Sequence, residues 1–294
     1  MTQSPPRCIV CGAQPTEVTV AGGWVLRRCG DCGLAWRREF PEAAALAALY
    51  GDDYFERWGI DSPATRAEIR AMKEATYRPF LQQIRRHQPG GRLLDLGCAL
   101  GFLLSVARDA GFDAYGLDLN QSAIADARHE HGERVHAGLL DDAAFPGIRF
   151  DVVTLIDVLE HVPDPGTLLD ALAARLAPGG LVAAVLPDAG SAVARLFGTR
   201  WPHYNAEHLF TWSAASLRRY LAERGWRVRS LRRGVRKTFT ARYLDHYARH
   251  LGRTPPPGLG LLGGLRLRIP TGEMFVIAQP PEAQVVYGSK RTTS

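Results

Sequence analysis

Seven short apolar runs, spaced through the last two thirds of the chain, constrain the fold more than any other feature. They cover residues 92–97, 113–119, 134–138, 150–156, 180–187, 226–233 and 272–279. Helical patterns fall between most of them, and several of these close on a glycine, as helix ends commonly do. Strands alternating with helices predict a parallel α/β sheet. Hydrophobic residues at 46% and charged residues at 22% of the chain exclude disorder as the main state.

The 294 residues divide into four parts. Residues 1–40 carry their own cysteine framework and too few large apolar side chains for a core. Residues 41–88 read as a helical linker or lid. One helix is expected over 40–50 and a second from Ser62, with that serine as N-cap and Pro63 in the first turn. Residues 89–280 hold the strand–helix alternation, interrupted by a Pro/Gly-rich loop at 254–265. Residues 281–294 are expected to form a flexible tail. No apolar run approaches the roughly 18 residues needed to span a bilayer, and the start lacks the pattern of an export signal. The expectation is a cytoplasmic protein without a membrane partner.

Four of the five cysteines fall in the first 32 residues. They form two C-x-x-C pairs, Cys8/Cys11 and Cys29/Cys32, each followed by a glycine. In a chain read as cytoplasmic, metal ligation is favoured over disulfides. Two such pairs can present four thiolates tetrahedrally to Zn2+, and the glycines suit tight knuckles. Four cysteines fill every coordination position, so the zinc is expected to be structural.

A second signal begins at Asp95. Here an apolar strand ends in Asp95-Leu96-Gly97-Cys98-Ala99-Leu100-Gly101 and runs into a helix at Phe102. Glycines at such an edge let the backbone approach a ligand closely. The spacing fits neither the three-glycine dinucleotide fingerprint nor a phosphate loop ending in Gly-Lys-Ser/Thr. It resembles the first motif of class I S-adenosylmethionine (SAM)-dependent methyltransferases. Cys98-Ala99 departs from the glycine many members carry at the third motif position. The resemblance covers about residues 90–280. It implies a Rossmann-like seven-stranded sheet and a SAM cleft formed by Asp95, Gly97, Cys98, Ala99, Gly101 and Phe102. Asp118 would hold the ribose hydroxyls beside Leu119. Leu140 or Asp141 would lie against the adenine, and Ile156 and Asp157 would follow the fourth strand.

The N-terminal cysteines, the segment Leu49–Phe55 and Glu207-His208-Leu209-Phe210 resemble zinc-module methyltransferases, including sugar C-methyltransferases. In that group a glutamate–histidine pair is implied in proton removal. This makes His208 the first candidate base, with Glu207 orienting it, and His161 the second. Asp157-x-x-Glu160-His161 also resembles a divalent-cation motif of quinone-precursor O-methyltransferases. Trp201, His203, Tyr204 and Trp212 are candidates for an acceptor wall, and Tyr243, His246, Tyr247 and His250 fall at helical spacing.

The formal charge of +6 is concentrated between Gly225 and Arg253, where nine Lys/Arg face one acidic residue. One basic segment favours a small acceptor, bearing a phosphate or diphosphate on Arg232, Arg233, Arg236 and Lys237, over a nucleic-acid surface. The expected activity is methylation of a sugar, nucleotide-linked sugar or natural-product intermediate, on oxygen or carbon. The sugar C-methyltransferases have a further C-terminal domain that 294 residues do not accommodate, which weighs towards oxygen. The alternatives are an RNA base methyltransferase and a non-catalytic scaffold whose zinc ribbon binds a partner.

Overall fold

A computed structural model describes residues 2–42, 62–141, 143–250, 252 and 254–281. The helix expected over 40–50 falls mostly outside these residues. The segment 49–55 and the tail beyond 281 fall outside them entirely. Among the described residues no helix is long and apolar enough to cross a membrane.

The N-terminal strands are β1 (Thr2–Gln3), β2 (Thr16–Thr19), β3 (Val25–Arg28), β4 (Ala35–Arg37) and β5 (Glu39–Phe40). Helix α1 (Pro63–Arg85) follows. Ser62 caps it by accepting from the Thr65 amide, and Thr65 returns a bond to the Ser62 amide. This reciprocal box satisfies two of the amides a helix start leaves open. Ile69, Met72, Phe80, Leu81 and Ile84 form its buried stripe.

The central sheet is built from β6 (Gly91–Leu96), β7 (Phe112–Asp118), β8 (Val135–Ala137), β9 (Phe150–Ile156) and β10 (Leu176–Pro187). Helices α2 (Phe102–Asp109), α3 (Gln121–His131) and α4 (Pro165–Arg175) connect them. After β10 come α5 (Ala192–Phe197), β11 (Phe210–Thr211), α6 (Ala214–Glu223) and β12 (Arg227–Arg233). A hairpin of β13 (Arg236–Thr240) and β14 (Arg266–Pro270) encloses α7 (Ala241–His250), and β15 (Glu273–Gln279) ends the fold.

The seven-stranded order is β12-β15-β10-β9-β6-β7-β8. All seven expected strands are present, but the sheet is mixed rather than parallel. β15 runs antiparallel to both β10 and β12. The physical reason is the connection. β12 leads into the β13–α7–β14 excursion, which delivers the chain back to the edge it left, so β15 enters the sheet from the opposite end. Val182, Ala183, Ala184 and Val185 on β10 and Val276 and Ile277 on β15 are buried on both faces, as a covered central strand requires.

The smaller sheet joins distant parts of the chain. Its order is β11-β4-β3-β2, so residues 210–211 complete a sheet started by residues 16–37. Cys8, Cys29, Leu34 and Trp36 share one core with Leu94, Leu117 and Val153 of the central sheet.

A test of this packing lies at Gly116 on β7. A Cβ there would stand 2.7 Å from Cys98 Sγ and 2.8 Å from Leu104 Cδ1. Gly116→Ala is therefore expected to destabilise by about 1–3 kcal/mol, read as a lower thermal midpoint.

Candidate functional site

The cofactor cleft arises where β6, β7 and β9 leave the sheet. Gly97 (φ 82°) and Gly101 (φ 75°) take left-handed conformations. A Cβ on Gly97 would lie 2.6 Å from Val158 Cγ2, and one on Gly101 would lie 2.7 Å from the His131 ring. Neither position tolerates a side chain. Ala99 is also left-handed (φ 49°), at the place where a glycine is commoner in the motif. Its amide donates to Asp118 Oδ2 at 2.8 Å, while the Asn120 amide donates to Oδ1 at 2.9 Å. Asp118 thus ties the glycine loop to the end of β7. A carboxylate has about four acceptor positions, so these backbone bonds leave Asp118 capacity to accept from a ligand hydroxyl.

Asp95 lies beneath the loop, buried and bonded by Thr154 Oγ1 at 2.6 Å. Burial, helped by the charge of Asp118, pushes its pKa up to about 7 against the pull of Thr154. The other expected cleft residues divide. Cys98 turns into the core, where its sulfur faces Gly116, and burial pushes its thiol well up. Phe102 is buried with Ile69 and Met72 under α1. Leu119 is 59% exposed and Leu139 is 68% exposed. Between the two candidates for the adenine wall, Leu140 packs against the core and Asp141 caps its own turn through the amides of Ala143 and Ala144. The apolar side chain left open in that segment is Leu139, one residue earlier than the expected pair. These observations fit an adenosyl group, with a shared carboxylate for the ribose and two unburied leucines at the neighbouring strand ends.

Ile156 ends β9, and Asp157 follows in a left-handed conformation (φ 58°). Asp157 Oδ2 accepts from Lys237 Nζ at 2.6 Å. Lys237 also donates to Glu273 Oε1 at 2.7 Å. Burial favours the neutral form of Asp157, but Lys237 and then Lys73 reverse this and hold its pKa below the ordinary range. Lys237 is thus an internal ion between two carboxylates rather than a surface phosphate ligand. Arg233 pairs with Asp188.

The histidines converge beside this network. The His161 and His208 rings meet edge to face at 4.8 Å, and His203 stacks on His208 at 5.5 Å. Burial lowers His161 to about 4 and places His208 well below its usual value, so both rings are neutral near pH 7. The carboxyl grouped with them is Glu160. It is fully buried and neither oxygen has a hydrogen-bond partner among the described residues. Burial, then the charge of Asp157, raises its pKa well above the usual range. Glu207 reaches the cluster through its carbonyl, which is 3.1 Å from His161 Nδ1. Glu160, His161 and His208 each offer one atom within 4.8 Å of the others, a set that could hold a divalent cation. Trp201 and Trp212 are core residues (1% and 0% exposed) rather than an exposed wall. Tyr243 and Tyr247 stack in line with Phe239.

The four N-terminal sulfurs also lie within 4.8 Å of one another. Cys8–Cys32 and Cys11–Cys29 approach to 3.5 and 3.3 Å. A tetrahedral zinc with Zn–S of about 2.3 Å would set sulfur–sulfur edges near 3.8 Å, so the cluster fits with small adjustment. Burial pushes the thiols of Cys8 and Cys32 up, a cost that a divalent ion would remove.

A mixed seven-stranded sheet in this order, with a glycine-lined cleft at its carboxyl edge, is that of the class I methyltransferases. Residues 68–231, more than half of the chain, match the family model described as methyltransferase domain, and the chain belongs to that family. The ubiquinone biosynthesis O-methyltransferase of Aromatoleum aromaticum is 40% identical over 99 residues, covering 32% of this chain and 42% of that protein. The enzyme of the same description from Nitrobacter winogradskyi is 35% identical over 124 residues, 40% of this chain and 47% of that protein. The chain thus spans under half the length of these relatives. Magnesium protoporphyrin IX methyltransferase from Synechocystis PCC 6803, solved with bound SAH, shares the fold. Its TM-score is 0.51 at 16% identity, over 81% of this chain and 99% of that one. The 1,6-didemethyltoxoflavin-N1-methyltransferase of Burkholderia thailandensis does so at a TM-score of 0.50 and 17% identity, over 90% and 99%.

Two outcomes follow. Asp118→Ala removes the carboxylate expected to meet the ribose and frees the Ala99 amide, and should weaken SAH binding about a hundredfold by calorimetry. Asp95 has a folded pKa of about 7 against 3.8 in the unfolded chain. The folded state therefore holds an extra proton between these values, and stability from this group is lost as pH rises through them. Denaturant melts of the cofactor-free protein should show Asp95→Asn costing less at pH 8 than at pH 5.

Proposed function

We propose that the chain transfers the methyl group of SAM to an oxygen of a small-molecule acceptor, with His208 taking the proton. The observation that carries this reading is the buried Glu160–His161–His208 cluster beside Asp157, at the same strand edge as the glycine loop. SAM, when bound, supplies a methyl on a sulfonium that departs readily. The protein then has to align the acceptor and receive its proton.

A neutral imidazole whose basicity is lowered by burial is a weak base. It matches a phenolic or enolic hydroxyl better than a sugar alcohol, because proton transfer is most effective between groups of similar pKa. Glu160, His161 and His208 also support a second version of the same reaction. A divalent cation held there would lower the hydroxyl's pKa directly, and the unpartnered oxygens of Glu160 favour it.

We place the acceptor against α1, β13 and α7, which pack on one another beside Asp157 and Lys237. Lys73 and Tyr77 stand one turn apart on the face of α1 that meets β13, where the Thr238 amide donates to Thr76 Oγ1 at 2.8 Å. Lys237 and Asp157 act electrostatically on Lys73, Tyr77 and Tyr243 alike, which brings these groups to one place. Lys73 is half-buried and has no ion pair among the described residues. An ammonium in that position suits a carboxylate or phosphate on the acceptor, and the Phe239–Tyr243–Tyr247 stack suits a planar ring.

The test is methyl transfer from SAM to 3,4-dihydroxybenzoate and to catechol, followed as SAH and methylated product. The zinc-loaded protein is assayed with and without added Mg2+. His208→Ala should lose about a hundredfold or more in turnover while binding SAH normally. Lys73→Met should raise KM for the carboxylate-bearing probe about tenfold and leave that for catechol unchanged. Equal loss of SAH affinity in His208→Ala would remove the histidine from the chemistry.

A further inference from the structure

His208 is held from both sides, and one side is the four-cysteine module. Cys32 lies three residues before β4, and β4 pairs with β11 through Trp36–Phe210 and Ala35–Thr211. The ladder continues past the last strand pair. The Arg37 amide donates to the Leu209 carbonyl at 2.9 Å, and Arg37 Nη1 donates to the Ala206 carbonyl at 2.6 Å. These two carbonyls bracket His208. At the other end of β11, Ser213 Oγ donates to the Cys32 carbonyl at 2.8 Å, and Ser213 is also the N-cap of α6. On the opposite side the Leu209 amide donates to the Glu160 carbonyl at 2.9 Å. Residues 206–213 are thus clamped between the cysteine knuckle and the loop after β9.

The ribbon is held by the core that Leu34 and Trp36 share with the central sheet and by its four sulfurs. Its strands have four, four, three and two residues. Sheets this small are marginal without a cross-link or added packing. The four sulfurs are the only cross-link the described residues of the ribbon offer. The cofactor cleft, by contrast, stands on β6, β7 and β9 in a separate sheet.

We propose that metal bound by Cys8, Cys11, Cys29 and Cys32 sets the position of His208 through the β4–β11 ladder, with Arg37 as the positioning residue. Metal loss then releases residues 206–211 and leaves the cofactor cleft formed. The inference rests on the reading of the four cysteines as a metal site. It goes beyond the proposed chemistry, because it concerns where His208 is held and not what it does.

The experiment uses the full chain, loaded with one equivalent of Zn2+ or stripped by a chelator. Carbethoxylation of single histidines is followed by mass spectrometry. His208 is 8% exposed and His129 lies on the exposed face of α3, so His129 is the internal reference. Stripping should raise the reactivity of His208 about tenfold, the signature of local opening, with His129 unchanged. SAH affinity should stay within about twofold, as for an uncoupled site. An unchanged His208, or a parallel loss of SAH binding, would overturn the clamp. Arg37→Ala tests the same link with the metal in place. It should raise the reactivity of His208 at full zinc occupancy, and Arg37→Lys should restore most of the protection. An Arg37→Ala protein that keeps its zinc and shields His208 as the wild type does would overturn the proposal, whatever stripping does. Neither readout depends on methyl transfer, so failure here is separate from failure of the proposed reaction.

Discussion

The cleft exists because the chain leaves two adjacent strands by left-handed turns. β6 exits through Gly97, Ala99 and Gly101, and β9 exits through Asp157. Two of these four are not glycine, and an L-residue pays roughly 1–2 kcal/mol for that conformation. Each strained residue is held by a strong bond from another strand. Asp118 at the end of β7 accepts the Ala99 amide, and Lys237 on β13 grips the Asp157 carboxylate. The backbone is therefore turned away from the sheet edge at both sides of the topological switch. Lys237 stays internal between Asp157 and Glu273, while Asp118 stands at the end of β7 with acceptor capacity left for a ligand.

Electrostatics follow from the same arrangement. Lys237 lies between Asp157 and Glu273, and the Glu273 carboxylate also accepts from Thr271 Oγ1 and stands 3.7 Å from His203. An ammonium so placed is satisfied only while both carboxylates are ionised, and their charge in turn discourages ionisation of Glu160. The result is a region with two fixed negative charges, two ammoniums and uncharged histidines. A proton arriving on His203 meets the Glu273 carboxylate 3.7 Å away, whose charge can balance it. That is the condition for moving a proton where water cannot screen the change.

Legibility in the sequence tracked how local each signal is. Gly97, Gly101 and Asp118 were legible because a tight turn and a strand-end carboxylate act within a few residues, and the cysteine pairs likewise. The antiparallel β15 was not, since its apolar pattern is the same in either direction and the reversal depends on the β13–β14 excursion. Cys98 and Leu140 looked like cleft residues by position, but the turn of the backbone directs them to the core. Lys237 looked like one of several surface cations because nothing local marks it as lying opposite Asp157, 80 residues away. Glu160 stood inside a recognised segment. That its oxygens find no hydrogen-bond partner among the described residues is a property of the packed structure alone.

The pairing of β4 with β11 is the extreme case. It joins Trp36 to Phe210 across a strand of only two residues, too short to carry a periodic pattern. Yet it joins the segment that carries His208 to the N-terminal sheet. His208 stands two residues before that strand, the Leu209 amide is bonded to the Glu160 carbonyl, and the Ala206 and Leu209 carbonyls accept from Arg37. A base must be fixed to within a fraction of an ångström to act, and loops alone rarely achieve this. Here the segment between α5 and α6 adds itself as an edge strand to the small N-terminal sheet, which ties His208 by backbone hydrogen bonds to the module that carries the four cysteines.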